Sequence, residues 1–519
     1  MSHPSTIIRR PASAPDLARQ AAAVFVVSNI AHLIVMFSRG FVGQIFPQLM
    51  AEFRTTGVGI TVLSTSYFYV YMFLQIPAGL LVEHAGPRRV ISGGLALGTV
   101  GYVVFALAPT LGTAAFGRFL SGVGLASIFI AILKNISNWF PAHRYGAFSG
   151  ISTLVGNVGV LSAMYPFVVL TTKIGWRTAN LLVAAVCAFT AAWAWVVVRD
   201  RGPYSDPEAP ADVGAAERTR DLGRDPVWPD EGAAHQKPRT GRSLALKIGR
   251  DLWDGTLEVV ANPGSWPSLI GFGVVFGTLM TFTSLWGGPF LMQAHGLSQA
   301  AAGSILATSA VGAALAAPTV GIIVDKVKNR RLVLAGTAAF QIPAWLLLSW
   351  SSAHPASLDP TGRVVWILRA AIFIFGVSNA SFLPSFIMIR AANRPAHAGL
   401  AQGLANFAGF LGVIVGQTVV SLVMDSRWEG AYFAEGVRGY PVGAFVTGFG
   451  ICAAAVVAVI IFVLVAGRWL TRREQGPRQG QDPAQGRASD RHLRQNRASH
   501  RGPSSGRGRD RNRPEAGTA

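Results

Sequence analysis

The chain is 519 residues long and 51% hydrophobic, yet only 13% of its residues are charged. Soluble domains average about 25% charged residues, so this composition excludes an ordinary soluble protein. The net charge of +20 does not indicate nucleic-acid binding, because basic residues of membrane proteins collect in cytoplasmic loops. Apolar runs of roughly twenty residues recur, and each is long enough to cross a bilayer core as a helix. We therefore predict an all-α polytopic membrane protein.

The apolar runs predict twelve transmembrane helices in two sets of six. In the first set the predicted spans are 21–48, 57–82, 90–108, 112–137, 145–171 and 177–198. In the second set they are 265–293, 298–324, 331–351, 364–389, 397–424 and 440–468. The predicted domains are an N-terminal segment 1–20, a bundle 21–198, a linker 199–264, a second bundle 265–469 and a tail 470–519.

Three polar segments flank the two bundles. The linker mixes charges of both signs with prolines, a composition that forms no core, and it holds one predicted surface helix near 243–259. The basic tail 470–519 is expected to be disordered. Short loops rich in Lys and Arg face the cytoplasm. Their positions predict that both termini and the linker are cytoplasmic.

A charged motif between spans two and three recurs between spans eight and nine. The first copy reads GLLVEHAGPRR over 79–89, and the second reads GIIVDKVKNRR over 321–331. The aligned pairs are Gly79 with Gly321, Glu83 with Asp325, Arg88 with Arg330, and Arg89 with Arg331. A constant offset over several polar positions indicates duplication of a large unit.

The acid of each copy lies at the C-terminal end of a predicted helix. Glu83 there opposes the dipole of its own helix, so it needs a partner such as a nearby arginine or the N-terminus of another helix. Such a contact can form in one conformation and break in another. Glu83 with Arg88 and Arg89 is therefore a candidate gate latch, and the alternative is that the arginines only set topology.

A second repeat lies on the fifth and eleventh predicted spans. Glycines with identical spacing are Gly146, Gly150, Gly156 and Gly159 on one, and Gly399, Gly403, Gly409 and Gly412 on the other. Small residues at helical spacing allow close helix packing. The two spans are therefore expected to occupy equivalent places in the two halves.

Ionised residues inside the spans are the first candidates for a substrate site, since each costs about 2.5–3.5 kcal/mol to insert. Arg39 lies in the first span, and Arg118 and Lys134 lie in the fourth. No Asp or Glu lies in the middle of a span, so the interior favours anions. Lys134 has an alternative role at the interface, because a lysine near a helix end can extend to water. His32 is the sole proton-coupling candidate in the core.

Uncharged polar and aromatic residues complete the set of candidate substrate contacts. They are Tyr67, Tyr71 and Gln75 on span two, Trp286 on span seven, Asn379 on span ten and Asn406 on span eleven. The three on span two share one helical face. Each of the six fits ordinary interhelical packing equally well.

The repeated loop and the two six-helix halves resemble the major facilitator superfamily. The family's loop reads Gly-x-Leu-x-Asp-x-x-Gly with trailing basic residues, and the matching residues here are Gly79, Leu81, Gly86, Arg88 and Arg89. Glu83 replaces the Asp, and the second copy has Lys328 where the second Gly is expected. The resemblance implies alternating access between the halves and a gating role for this motif.

The pattern of basic residues on the first and fourth spans resembles that of the organic-anion and organophosphate branches of the family. Arg39 on the first span, and Lys134 ahead of WFP at 139–141, follow the branch pattern, which implies that Arg39 contacts an anionic group. Arg118, within GRFLSGVG, matches a family motif linked to conformational coupling; the alternative is an interfacial arginine. The organophosphate branch adds an arginine on span seven that is missing here, which argues against a phosphate ester.

We therefore expect a transporter for a small organic anion or zwitterion, without a cofactor or metal, in the plasma membrane and as a monomer. The alternatives are a drug or metabolite exporter of the same fold and, from a different class, a non-transporting membrane sensor. The exporter alternative is weakened because span five lacks the Gly-Pro pair typical of exporters. An enzyme is not expected, since no nucleophile with a paired base lies near the spans.

Overall fold

The computed structural model describes residues 14–75, 77–205, 241–327 and 329–475. Within these ranges, twelve helices are long and apolar enough to cross a membrane, which confirms the predicted fold class. Spans 1 to 6 are Asp16–Gln44, Gly57–Leu74, Leu81–Ala106, Leu111–Trp139, Tyr145–Ile174 and Trp176–Val197. Spans 7 to 12 are Pro263–Gln293, Gln299–Val324, Arg330–Ser351, Arg363–Ala392, Ala398–Ser426 and Val442–Val465.

Several spans are interrupted near their middle. Their component helices are Leu111–Leu125 and Ile128–Trp139 in span 4, Trp266–Thr281 and Gly287–Gln293 in span 7, Gln299–Leu306 and Thr308–Lys326 in span 8, Arg330–Ala339 and Gln341–Ser351 in span 9, and Arg363–Ser378 and Phe382–Ala392 in span 10. A π-helical turn, Phe282–Trp286, joins the pieces of span 7. Such turns frequently mark functional positions in helices.

The repeated loop is largely helical, which differs from the predicted link between two spans. Span 2 ends at Leu74, and a new helix, Ala78–Ala106, begins after Pro77. Proline lacks the N–H that would continue the preceding helix. The new helix is broken at Gly86 (φ 79°, ψ 153°) and restarts as the long part of span 3.

Other elements lie outside the spans. A short helix, Phe46–Phe53, follows span 1, and a helix, Gly241–Ala261, occupies the predicted surface-helix position in the linker. A hairpin of Tyr432–Ala434 and Val437–Arg438 precedes the last helix, Val442–Gln475. Residues 470–475 are therefore helical. The rest of the predicted tail, and linker residues 206–240, lie outside the described residues.

One aligned pair of the repeated glycines makes close backbone contact at matching places in the two halves. A Cβ added at Gly159 of span 5 would lie 2.5 Å from the Leu33 carbonyl oxygen of span 1. In the other half, Gly412 of span 11 abuts the Gly273 carbonyl of span 7. The equivalence predicted from the glycine spacing is thus present in the packing.

The two halves meet along spans 2 and 11, which run antiparallel. Thr61 hydrogen-bonds Ser421 near one end, and Phe73 packs against Phe407, with 5.7 Å between ring centroids, near the other. We call the end that holds the 432–438 hairpin the hairpin end, and the end that holds residues 79–89 the motif end. Both halves belong to one compact unit that ends at Gly467.

Candidate functional site

Arg39 lies where the two halves meet. Its Nη2 donates a 2.6 Å hydrogen bond to the Tyr71 hydroxyl of span 2. The guanidinium carbon lies 4.6 Å from the centroid of the Tyr71 ring and 5.4 Å from that of Phe410, which belongs to span 11 of the other half. Its Nε is buried, with no hydrogen-bond partner among the described residues. The side chain is thus held by aromatic faces, with donor capacity left over.

Tyr67 and Tyr71 form a stacked pair beside Arg39. Their ring centroids are 5.6 Å apart, as expected for residues one helical turn apart. Both rings are almost fully buried, and the hydroxyl of Tyr67 has no partner within the described part of the chain. A buried hydroxyl without a partner is unfavourable by about 1–3 kcal/mol. The pair therefore presents a polar atom that an additional group would satisfy.

Arg118 is a second cation in the same cluster, and its side chain is only 1% exposed. Its guanidinium carbon lies 4.8 Å from the ring centroids of both Phe41 and Tyr67, and Nη2 donates to the Ser38 carbonyl at 3.0 Å. Nε and Nη1 are buried without partners in the described ranges. Cation–π contacts offset part of the desolvation of a buried guanidinium. No described carboxylate forms an ion pair with Arg39 or Arg118.

Gln75 and Asn406 extend the cluster toward the motif end. The Asn406 side-chain amide donates to Gln75 Oε1 at 3.3 Å, so the two predicted residues bridge the halves. This contact follows Tyr71 and Phe410 along the antiparallel pair of spans. The structure thus brings together five of the predicted substrate contacts, namely Arg39, Tyr67, Tyr71, Gln75 and Asn406.

The other three predicted contacts lie elsewhere. Trp286 is fully buried near the hairpin end, where its Nε1 donates to Ser421 Oγ at 3.1 Å. Lys134 is exposed on span 4, and Asn379 is half-buried at the start of a 3-10 turn in span 10. Among the described contacts, none joins these three residues to Arg39. Trp286 instead packs in the interface between the two halves.

The first copy of the repeated motif is attached to its own half. Arg88 donates through its backbone N–H to Asp200 Oδ1 at 2.8 Å and through Nε to the Trp195 carbonyl at 2.7 Å. Trp195 lies near the end of span 6, and Asp200 follows shortly after that span. Glu83 and Arg89 are exposed, and no described hydrogen bond or ion pair involves Glu83. A latch between the halves through Glu83 is thus not formed in this conformation and stays a prediction.

The other motif residues lie in different surroundings. An added Cβ would meet nothing within 4 Å at Gly79. In the second copy Arg330 is exposed and Arg331 is half-buried at the start of span 9. The side chain of Asp325 lies outside the described residues.

His32 is buried between spans 1, 4 and 5. Its Nδ1 lies 2.9 Å from the Ser152 carbonyl oxygen, and its ring stacks on Phe129 with 4.7 Å between centroids. A carbonyl only accepts, so Nδ1 carries the hydrogen and Nε2 has the free lone pair. That Nε2 is buried without a partner in the described structure.

Sequence reasoning missed several residues of this cluster. Phe410 and Phe41 supply the aromatic faces for the two arginines, and Tyr102 hydrogen-bonds the Ser38 hydroxyl beneath Arg118. Apolar aromatics in apolar spans carry no distinguishing signal. The one nearby sequence feature that singled out this part of span 11 was the repeated glycine directly before Phe410. Asp200, at the end of span 6, was also missed.

Twelve spans in two equivalent halves, meeting around a buried cationic and aromatic cluster, are the architecture of a membrane transporter. Similarity to known proteins leads to the same class. The chain matches the profile of the Major Facilitator Superfamily over residues 29–290 and 269–501, and it belongs to that family. The family resemblance expected from the sequence is confirmed, and the chain is a transporter, not an enzyme.

Individual relatives are distant. The chain is 24% identical over 403 residues to the probable nitrate/nitrite transporter NarK2 of Mycobacterium tuberculosis, which covers 76% of this chain and 87% of that protein. It is 21% identical over 424 residues to the multidrug resistance protein Stp of the same species, covering 78% and 76%. A bacterial homolog of the human lysosomal transporter Spinster, solved in an inward-facing and occupied conformation, has a TM-score of 0.62 at 16% identity, covering 88% and 98%.

Proposed function

We propose that this transporter moves a small organic anion or zwitterion by alternating access, with Arg39 as the main contact for the anionic group. The observation that carries the proposal is the position of Arg39 between the halves, with a buried Nε that has no described partner. A site between two halves that rock about it is exposed to each side of the membrane in turn.

The charge balance of the cluster supports an anion. Arg39 and Arg118 both lie on the faces of the Tyr67–Tyr71 pair, and no described ion pair neutralises either guanidinium. A substrate carboxylate would accept charge-assisted hydrogen bonds from the unpartnered nitrogens, and such bonds are about twice as strong as neutral ones. A simple organic cation would instead be repelled. The likeness to NarK2, whose name gives nitrate and nitrite, is consistent with an anionic substrate.

Drug or metabolite export is the second candidate, and the likeness to Stp is the observation that favours it. It predicts a different ligand preference. Bulky apolar or cationic compounds would bind to the aromatic surfaces of Phe410 and Tyr71 without depending on the Arg39 charge.

For energy coupling we propose exchange, uniport or a proton carried with the substrate, with His32 as the proton-coupling candidate. The unpartnered Nε2 of His32 supports its role in proton coupling, because that atom is free to accept a proton. We further propose a monomer in the plasma membrane with both termini cytoplasmic. The grouping of basic residues at the motif end supports that orientation.

The test is thermal stabilisation of the purified protein by a panel of ligands, since a ligand that binds the folded state raises its melting temperature. The panel holds nitrate, mono- and dicarboxylates, a dipeptide, a sugar phosphate and a lipophilic cation. We expect the carboxylates or the zwitterion to stabilise the wild type. Arg39→Gln should abolish that shift, and Arg39→Lys should retain part of it.

Arg54→Gln is the matched control, because Arg54 is an exposed arginine at the hairpin end of the same half. It should respond to ligands like the wild type. Stabilisation of Arg39→Gln by anions at unchanged affinity would contradict the proposal. Stabilisation by the lipophilic cation alone would favour export of drugs.

A further inference from the structure

A carboxylate of one half caps a helix of the other half at the hairpin end. Asp425, at the end of span 11, accepts hydrogen bonds from the backbone N–H groups of Gly57 at 3.0 Å and Val58 at 2.8 Å. These are the first residues of span 2. The first N–H groups of a helix have no partner within the helix and carry the positive end of its dipole, so a carboxylate there is stabilising.

Two residues of the C-terminal half hold this carboxylate in place. The Tyr440 hydroxyl donates to Asp425 Oδ1 at 2.8 Å and accepts from Gly57 N at 3.0 Å, so it touches both halves. Burial and the Asp425 charge raise the pKa of Tyr440, which keeps the phenol protonated. Arg438 Nη1 lies 3.4 Å from the same Oδ1, and its guanidinium lies 4.0 Å from the centroid of Trp428.

A second layer of contacts lies next to the Asp425 contacts, on the side toward the middle of spans 2 and 11. Trp286 donates to Ser421, which hydrogen-bonds Thr61 across the halves. Gly57 leaves no spare room, because an added Cβ would lie 2.9 Å from both the Trp286 ring and the Tyr440 hydroxyl. The hairpin end is therefore closed by a capped helix N-terminus above a packed indole.

We propose that Asp425, bound to the first amides of span 2, is the latch that keeps the hairpin end closed. Span 2 and span 11 belong to opposite halves, so the hairpin end cannot open without breaking these bonds. Thr56 already supplies a cap within span 2, accepting from Gly59 N at 3.2 Å. The helix therefore persists when Asp425 leaves, and the Asp425 bonds act on the equilibrium between conformations more than on folding.

The experiment measures the distance between spin labels across the hairpin end of the full chain in nanodiscs, without ligand. Leu107→Cys and Ala353→Cys place labels on exposed residues after spans 3 and 9. Asp425→Asn removes the charge while preserving size. We expect the ratio of long to short distances to rise about tenfold, since hydrogen bonds to charged groups are among the stronger ones. Tyr440→Phe should move the distribution in the same direction by less.

Asp359→Asn is the matched control. Asp359 also caps a helix at the hairpin end, accepting from Val364 N at 2.8 Å, but both residues lie in the C-terminal half. It should leave the distances unchanged. An unchanged distribution in both Asp425→Asn and Tyr440→Phe would overturn the latch. If Asp425→Asn does not fold, Tyr440→Phe decides alone. The readout needs no substrate, so its outcome is independent of the anion assignment.

Discussion

The Asp200 carboxylate accepts a 2.8 Å hydrogen bond from the backbone N–H of Arg88, which ties the end of span 6 to the restart of span 3. Gly86 lies directly below this contact with φ at +79°, and a Cβ added there would lie 2.5 Å from Asp200 Oδ1. Two features make glycine necessary where the helix restarts. The positive φ favours glycine, and the Asp200 carboxylate occupies the space that a Cβ would take. The repeated motif thus has a structural role in the N-terminal half, whatever its part in gating.

Gly86→Ala is expected to destabilise the protein. Its φ and ψ lie in a region that is essentially restricted to glycine, and strain there costs about 1–3 kcal/mol before the clash with Asp200 is added. The melting temperature in detergent should fall by several degrees. Gly79→Ala is the control, because its Cβ would meet nothing within 4 Å and alanine favours a helix. Equal melting temperatures for the two variants would contradict this account.

Tyr71→Phe tests how the Arg39 side chain is positioned. The substitution keeps the ring under the guanidinium but removes the hydroxyl that accepts its 2.6 Å hydrogen bond. A hydrogen bond to a charged group contributes about 1.5–3 kcal/mol, so affinity for the most stabilising anion of the panel should fall about tenfold or more. Titration calorimetry on the purified variant gives the affinity directly.

The control for Tyr71→Phe is Tyr69→Phe, since Tyr69 lies on the same span but is 46% exposed. Its affinity should match the wild type. If both variants bind the anion as the wild type does, Tyr71 does not position Arg39 for binding.

The sequence predicted the fold well because its main signals are local. Apolar length and repeated glycines identify spans and their pairing, and these do not depend on where the halves meet. The candidate site could be predicted only in part. Tyr67, Tyr71 and Gln75 share a helical face, so their proximity follows from spacing, and Arg39 is conspicuous as a charge in an apolar run.

Contacts between residues that are far apart in the chain could not be predicted from the sequence. Phe410 looks like any core aromatic, and its place over Arg39 depends on the register of spans 2 and 11. Trp286 resembled a cavity residue, yet it packs between Phe46 and Tyr440 near the hairpin end. Nothing in the sequence near Asp425 links it to span 2, and only the antiparallel packing brings its carboxylate to the first residues of that span.

His295 provides a pH-dependent element of stability outside the spans. It is fully buried in the loop between spans 7 and 8, where Nδ1 accepts from Ala356 N at 3.3 Å and Nε2 lies 3.4 Å from Ser351 Oγ. Burial lowers the pKa of His295 from 6.5 to about 4. The folded protein therefore holds the neutral imidazole, while the unfolded chain takes up a proton near pH 6.5.

Stability from neutral His295 is thus fully present above pH 6.5 and is lost as the pH falls toward 4, because the unfolded state binds more protons over that window. We expect the wild-type melting temperature to drop between pH 7 and pH 5. His295→Asn places an amide oxygen near the Nδ1 position and cannot titrate, so its drop should be smaller, whatever its melting temperature at pH 7. His354→Asn, at an exposed residue after span 9, should keep the wild-type slope. An unchanged slope in His295→Asn would assign the acid sensitivity to other groups.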